Sequence, residues 1–363
     1  MIDEKLLRNE EKAVFALRAL YRKHGYLPFC MSKFEEYDLY VQNKDFLVGD
    51  SVITFNDTDG RLLALKPDVT LSIIKNTTDE DGCKQRVFYN ENVYRVSAKT
   101  HRYKEIMQTG LECIGDTDIF DVYEVLSLAL ESLATVSESF VLDVSHMGIF
   151  SALLDSVTDS ESFKRKFTKL VSEKNRHEAE ALAREYEMTE EKKNLLLCLI
   201  DTYGSLDEVL AVLQPICMGS GAEDAFLELS KLSELLSETE YKDRVRFDFS
   251  VVNDMNYYSG IVFRGFLLGV YEGVLAGGEY GALMRRMGRR SSAVGFALYL
   301  DLLEELEPMR GDYDVDVLLI YGESTDTALL EKKKREIILE GKSVSLQRAV
   351  PKKLRYRELI DLR

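Results

Sequence analysis

Two groups of short strand-like segments, one before residue 148 and one after residue 245, flank a long stretch of purely helical spacing, and this change of rhythm restricts the folds open to the chain. In the first group a helix is expected over about Lys5–Lys23, where Leu6, Leu7, Val14, Phe15, Leu17, Leu20 and Tyr21 fall mostly on one face and Gly25 ends it. Ser51–Phe55 and Leu62–Leu65 alternate like strands and are joined by the turn Asp57–Gly60. Val87–Tyr94 and Glu105–Ile114 read as further strands, with helices from Thr70 to about Lys75, after Pro67, and over Asp121–Thr135. Residues 148–239, rich in Glu, Lys, Leu and Ala and holding the single proline Pro215, read as a helical insertion. Strands return at Val245–Val252, Gly260–Phe266 and Gly269–Ala276, and a tight turn is expected at Gly277–Gly281. Strand, helix and hairpin follow one another without a βαβ rhythm, so the expected class is α+β, an antiparallel sheet flanked by helices.

Near the end, Val315–Tyr321, Thr325–Leu339 and Ser343–Leu346 suggest a small β-α-β piece. The organisation expected is a body over residues 1–311, carrying the insertion, and a short C-terminal α/β segment over 312–363.

Charge and cysteine usage narrow the functional classes. The net charge is −16, although residues 331–363 alone carry a surplus of six positive charges, so the rest is more acidic than the whole. Such a body repels phosphate backbones, which argues against a nucleic-acid partner, and the basic tail reads as a solvated helix face. No run approaches the roughly 18 apolar residues of a membrane span, and the charged start MIDEKLLRNEEK lacks the apolar stretch of a secretory leader. Cys30, Cys83, Cys113, Cys198 and Cys217 are odd in number and form no CxxC pair, as expected of reduced thiols in a cytoplasm. His24, His101, His146 and His177 are scattered, so neither a metal site nor a cofactor is expected.

Four segments carry a resemblance: LKPDVT at Leu65–Thr70, the stretch Val93–Gly115, NDMNYYSGIVF at Asn253–Phe263, and Ala276–Met284 with Ser291–Leu303. In this order they resemble histidyl-tRNA synthetase and its relatives, and together they cover most of residues 1–305. The resemblance implies a class II aminoacyl-tRNA synthetase-like fold, with a dimer interface near the first helix and the strand after it. The residues beyond about Asp312 are too few for a complete anticodon-binding domain and read as a truncated relic.

Amino-acid activation places positive groups and magnesium around the α-phosphate of ATP. Arg95 and Arg102 stand where two of the family's arginines belong. Elsewhere the pattern fails: Asn253 occupies an arginine position, Asp254 a glycine and Asn256 an aspartate. Asp301, Leu302 and Leu303 replace Glu-Arg-Leu, so the ATP-clamping arginine is a leucine, and Val96 and Ser97 fill the place of a Glu-Arg pair. Each preorganised donor lost typically costs about 2.7–4 kcal/mol of transition-state stabilisation. With catalytic positions lost at Asn253 and Leu302, no catalytic residue is expected.

The amino-acid pocket is better kept. The resemblance implies that Asp68 meets an α-amino group, that Gln108 and Glu112 are the next two ligands, and that Tyr258 and Tyr280 line an imidazole. Arg95 would meet the carboxylate. Gln108 and Glu112 are four apart on a strand, with Gly110 between, and so share a face. Plainer roles compete for each: Asp68 as a helix cap after Pro67, Gln108 and Glu112 as solvent-facing strand residues, and one of Tyr257 and Tyr258 facing the core. Gly277 and Gly278 read as turn residues with positive φ, His101 and His146 as structural, and Cys113 as a small buried residue with no activating partner.

The form Lys66–Thr70 together with the lost ATP residues resembles the regulatory subunits of ATP phosphoribosyltransferase. That resemblance implies a non-catalytic subunit that activates a short-form catalytic subunit, the enzyme joining ATP to phosphoribosyl pyrophosphate in the first step of histidine biosynthesis. It also implies feedback inhibition conveyed by L-histidine as effector, and a homodimer within a hetero-oligomer. A coupling of about 1–3 kcal/mol is usual for such switches, and here it would act by restraining the turn Gly277–Gly281. Two other readings stay open. A divergent histidyl-tRNA synthetase would show histidine-dependent ATP–pyrophosphate exchange; a stand-alone synthetase-like interaction or sensor protein would not.

Overall fold

The computed structural model describes residues 7–43, 52–96, 101–251, 257–305 and 313–363. The chain divides into two compact units, residues 1–306 and 307–363. The first is built on a nine-stranded sheet of order Leu27–Pro28, Lys84–Val96, Tyr103–Gly115, Ser292–Tyr299, Leu275–Glu279, Ile261–Leu267, Phe140–His146, Val245–Asp248, Tyr203–Gly204. Pairing is antiparallel except at two places, Leu27–Pro28 on Lys84–Val96 and Phe140–His146 on Val245–Asp248. The expected α+β architecture is present, as a mixed sheet.

Alternation separates the two faces of this sheet. Leu111, Phe296 and Phe263 lie on the face that packs on the helices Asn9–Lys23 and Ile119–Val136. The rings of Phe296 and Phe263 join those of Tyr21 and Phe88 at centroid separations of 6.0–6.3 Å, the edge and tilted geometry aromatic clusters prefer. Helix Ile119–Val136 begins where Asp118 accepts from the backbone N–H of Phe120 and Asp121. Asp121, fully buried, in turn holds Lys84 at 2.5 Å and Arg86 at 3.2 Å, tying the helix start to the neighbouring strand.

Residues 147–237 form six helices in succession, interrupted only by the two-residue strand Tyr203–Gly204 that joins the sheet edge. Ser160, Asn175, Thr189 and Ser205 cap four of them through their side-chain oxygens. A small antiparallel sheet of Phe34–Glu36, Leu62–Leu65 and Thr54–Asn56 stands apart, and its hairpin turns at Asp57–Gly60.

Three boundaries differ from expectation. The first helix starts at Asn9, with the Glu11 carboxylate accepting from the Arg8 N–H; positions 5 and 6 lie outside the described residues. The strand from Val245 stops at Asp248, whose Oδ1 accepts from Ser250 N–H at 2.8 Å and turns the chain into the short 3-10 helix Phe249–Val251. The strand expected over Gly269–Ala276 begins only at Leu275. Before it the chain turns, with Gly269 at φ +93°, and the strand is Leu275–Glu279.

The expected turn at Gly277–Gly281 is therefore the end of that strand and the start of helix Gly281–Arg286. Gly277 is required by closeness, not by a turn: a Cβ there would lie 2.4 Å from the carbonyl oxygen of Gly295. In this segment only Gly278 has a positive φ.

The second unit has three parallel strands, Val344–Gln347, Val315–Ile320 and Tyr356–Asp361, with helix Thr327–Leu339 started by Asp326. Its core is Val317, Leu319 and Ile337. The third strand, absent from the expected β-α-β piece, is mostly exposed and rich in charge, which hides its alternation. Among the described residues, no helix is long and apolar enough to cross a membrane.

Candidate ligand-binding site

The face of the large sheet opposite the aromatic core forms a trough. Register aligns Tyr89, Gly110, Ala297, Ala276 and Arg264 in one row across five strands. The adjacent row holds Glu112, Gly295, Gly278 and Val262. Long side chains stand at the ends of the first row, while nothing longer than a methyl lies between them. The space over these small residues is a cavity of about 390 Å³, within the range usual for small-molecule sites.

Asp68, Arg95, Gln108, Glu112, Tyr258 and Tyr280 all line this one cavity. Asp68 also fills its plainer role, since its Oδ1 accepts from Leu71 N–H at 2.9 Å at the start of helix Thr70–Asn76. Desolvation raises its carboxyl above the usual range, opposed by the Leu71 N–H and by Arg95. Arg95 Nε donates to the carbonyl oxygen of Pro67 at 2.9 Å. Gln108 is buried and faces Tyr299 across the strand pair, so neither it nor Glu112 is a solvent-facing residue.

Glu112 carries the most buried carboxyl group in the site, at 2% exposure. Thr70 Oγ1 donates to its Oε1 at 2.9 Å and the Tyr280 hydroxyl donates to its Oε2. Burial nevertheless pushes its carboxyl up to about 8, because two hydroxyl donors offset only part of the lost hydration and Asp68 lies nearby. Tyr257 and Tyr258 pack edge to face at 4.7 Å, and Tyr257 lies 6.2 Å from Tyr280. Neither tyrosine sits in a strand, which corrects that expectation; both line the cavity, and Tyr258 also packs against the main core.

The arrangement suits binding more than bond-making. Carboxylates, an amide and phenols converge on a half-enclosed space and can meet an ammonium group and a polar ring. Cys113, whose thiol burial pushes up to about 12, is not a lining residue. Among the described residues no cluster of His, Cys, Asp and Glu has metal-holding geometry. His146 caps helix Met147–Val157 by accepting from Gly148 N–H at 3.1 Å, and His101 is exposed. Arg102 is exposed and outside the lining, and Leu302 packs against the main core instead. Asn253 lies outside the described residues.

Four lining residues with polar side chains are absent from the sequence-based site: Thr70, Tyr89, Arg264 and Tyr299. Thr70 sits inside the LKPDVT segment. Arg264 shares a face with Val262 on one strand, but only the pairing of that strand with its neighbours puts this face over the cavity.

The large sheet with helices on one face and a cavity on the other is a class II aminoacyl-tRNA synthetase-like fold. The histidyl-tRNA synthetase family model matches residues 2–303, and the chain belongs to that family. Among its relatives, an ATP phosphoribosyltransferase regulatory subunit from Oceanobacillus iheyensis is 28% identical over 283 residues, covering 77% of this chain and 69% of the relative. The solved ATP phosphoribosyltransferase regulatory subunit/histidyl-tRNA synthetase from Bacillus halodurans superposes with TM-score 0.75 at 23% identity, over 97% of this chain and 93% of that one. A chain of the ATP phosphoribosyl transferase complex from Thermotoga maritima superposes with TM-score 0.62 at 21% identity, over 80% and 97%. At these identities the two structures speak for the fold.

Proposed function

We propose that this chain is the non-catalytic regulatory subunit of a short-form ATP phosphoribosyltransferase and that it senses L-histidine in the cavity. The observation that carries this reading is a division within the site. Groups suited to an amino acid converge on one cavity, whereas Leu302, where the synthetase resemblance puts an ATP-clamping arginine, is apolar and packed on the core. The name of the Oceanobacillus iheyensis relative and the assembly named for the Thermotoga maritima neighbour support the choice of partner.

The catalytic subunit would perform phosphoribosyl transfer in the cytoplasm, and a homodimer of this chain would join it in a hetero-oligomer. The body ends near residue 311, and residues 312–363 form a separate short α/β segment. Histidine acts by linkage: it shifts the complex only by the difference in its affinity for two states. The test is to mix this chain with a short-form phosphoribosyltransferase from the same source. Phosphoribosyl-ATP formation that requires the mixture and falls on adding histidine is the expected result. Activity indifferent to this chain overturns the proposal, and histidine-dependent ATP–pyrophosphate exchange by the chain alone favours a divergent synthetase.

A further inference from the structure

Resting on that reading of the cavity, we infer that Glu279, which does not line it, is the positioning residue that sets the wall formed by Tyr257 and Tyr258. Both tyrosines line the cavity without belonging to a strand, so the residues that follow them must fix their place. A clasp between residues 258–261 and residues 278–281 does this. The Glu279 Oε2 accepts from Ile261 N–H at 2.7 Å. The Glu279 carbonyl oxygen accepts from Ser259 N–H at 2.8 Å, and Ser259 Oγ accepts from Gly281 N–H at 3.1 Å. The Tyr258 ring lies against the backbone of Gly278, where an added Cβ would come within 2.8 Å of it.

Glu279 is the centre of this clasp because it enters twice, once through its main chain and once through its side chain. The carboxylate fits only because position 260 is glycine, since a Cβ there would collide with Oε2. It faces Glu228 on helix Glu223–Ser237 and His146 on strand Phe140–His146, whose Nε2 lies 3.2 Å from Glu228. Burial and Glu228 push the Glu279 carboxyl up to about 7, and in either protonation state an oxygen remains to accept from Ile261. Ile261 is buried and opens the strand Ile261–Leu267. Without an acceptor its N–H would carry the full desolvation cost of a buried donor, and the strand start that carries the tyrosines would loosen. The residue after Glu279, Tyr280, donates to Glu112. One residue outside the cavity therefore fixes Tyr258 and, through its neighbour, a carboxyl group of the same site.

The test is calorimetry with L-histidine on the full chain, alongside hydrogen exchange of its backbone amides. Glu279→Leu is expected to weaken L-histidine by about tenfold, the upper end for a net hydrogen bond, and to speed exchange in residues 257–261 with the other strands unchanged. Glu279→Gln, which keeps an acceptor for Ile261 N–H, is expected to recover most of both effects. Ser259→Ala, at an exposed position, removes one bond of the clasp and should weaken binding about threefold. The assignment of Glu279 is overturned if Glu279→Leu binds like the wild type, or if Glu279→Gln is as weak as Glu279→Leu. It is overturned equally if Asp121→Asn, destabilised away from the site, loses as much affinity. Should Glu279→Leu not fold, unchanged affinity in Ser259→Ala overturns it alone. If Glu112→Gln loses binding while Glu279→Leu keeps it, the reading of the cavity stands and only the role of Glu279 falls. A wild type that binds no L-histidine ends both.

Discussion

The Tyr280 hydroxyl donates to Glu112 from the start of helix Gly281–Arg286, so the carboxyl group of a central strand is tied to the N-terminus of that helix. Thr70 holds the other oxygen at 2.9 Å from a different helix. Three segments far apart in the chain therefore meet on one ionisable group.

Ligand affinity should follow that group. With its carboxyl pushed up to about 8 by burial, Glu112 is largely protonated at neutral pH. A ligand ammonium favours the ionised form, so binding releases a proton and tightens as pH rises toward 8. Calorimetric titration of L-histidine from pH 6.5 to 8.5 should show affinity rising, by at most about tenfold per unit. Glu112→Gln should bind weakly and without this slope.

Stability should move the other way. The Glu112 carboxyl titrates near 8 when folded against an ordinary value of 4.5, so folding retains a proton between those values. Its contribution is fully present below 4.5 and is lost as pH rises through about 8. Urea unfolding at pH 5 and at pH 8.5 should find Glu112→Gln gaining on the wild type at the higher pH, on the order of a few kcal/mol.

Filling the trough should remove binding without unfolding the protein. Ala297 lies in the floor between Gly110 and Ala276 and lines the cavity, so Ala297→Leu projects its added carbons into open space. The variant should melt within a few degrees of the wild type and show at least about tenfold weaker L-histidine binding, as expected when the cavity volume is taken up.

Asp121→Asn tests the scaffold away from the site. The carboxylate is fully buried between Lys84 and Arg86, both a little over a quarter exposed. Breaking a buried pair usually costs about 3–5 kcal/mol; with both cations partly solvated, a loss of about 2–3 kcal/mol is expected in urea unfolding. Histidine affinity should be unchanged.

Much of this architecture was readable in advance because periodicity is a local property. Leu62–Leu65 emerges with its expected bounds, and the helical run after His146 is unmistakable in composition. Errors fell where a residue type serves two purposes. Gly277 reads as a turn residue but is glycine because the neighbouring strand's Gly295 carbonyl leaves no room for a Cβ, a fact that exists only once the strands pair. Tyr356–Asp361 is a strand whose exposed, charged side chains erase the alternation. Asp68, Gln108 and Glu112 could be chosen through the resemblance, but Arg264 could not, since its place in the row depends on the register of four other strands.

The large sheet finishes at each side in a strand of two residues, Leu27–Pro28 at one margin and Tyr203–Gly204 at the other. The terminal strands themselves are too short to template an incoming chain, and Pro28 has no N–H to offer at all. A nine-stranded platform left open would invite fibre-like growth from one molecule to the next. Here the two borders are shortened rather than sealed: Leu27–Pro28 pairs with only Val87 and Phe88 of the thirteen-residue strand Lys84–Val96, so resistance to strand exchange on that side rests on what lies along the rest of that strand.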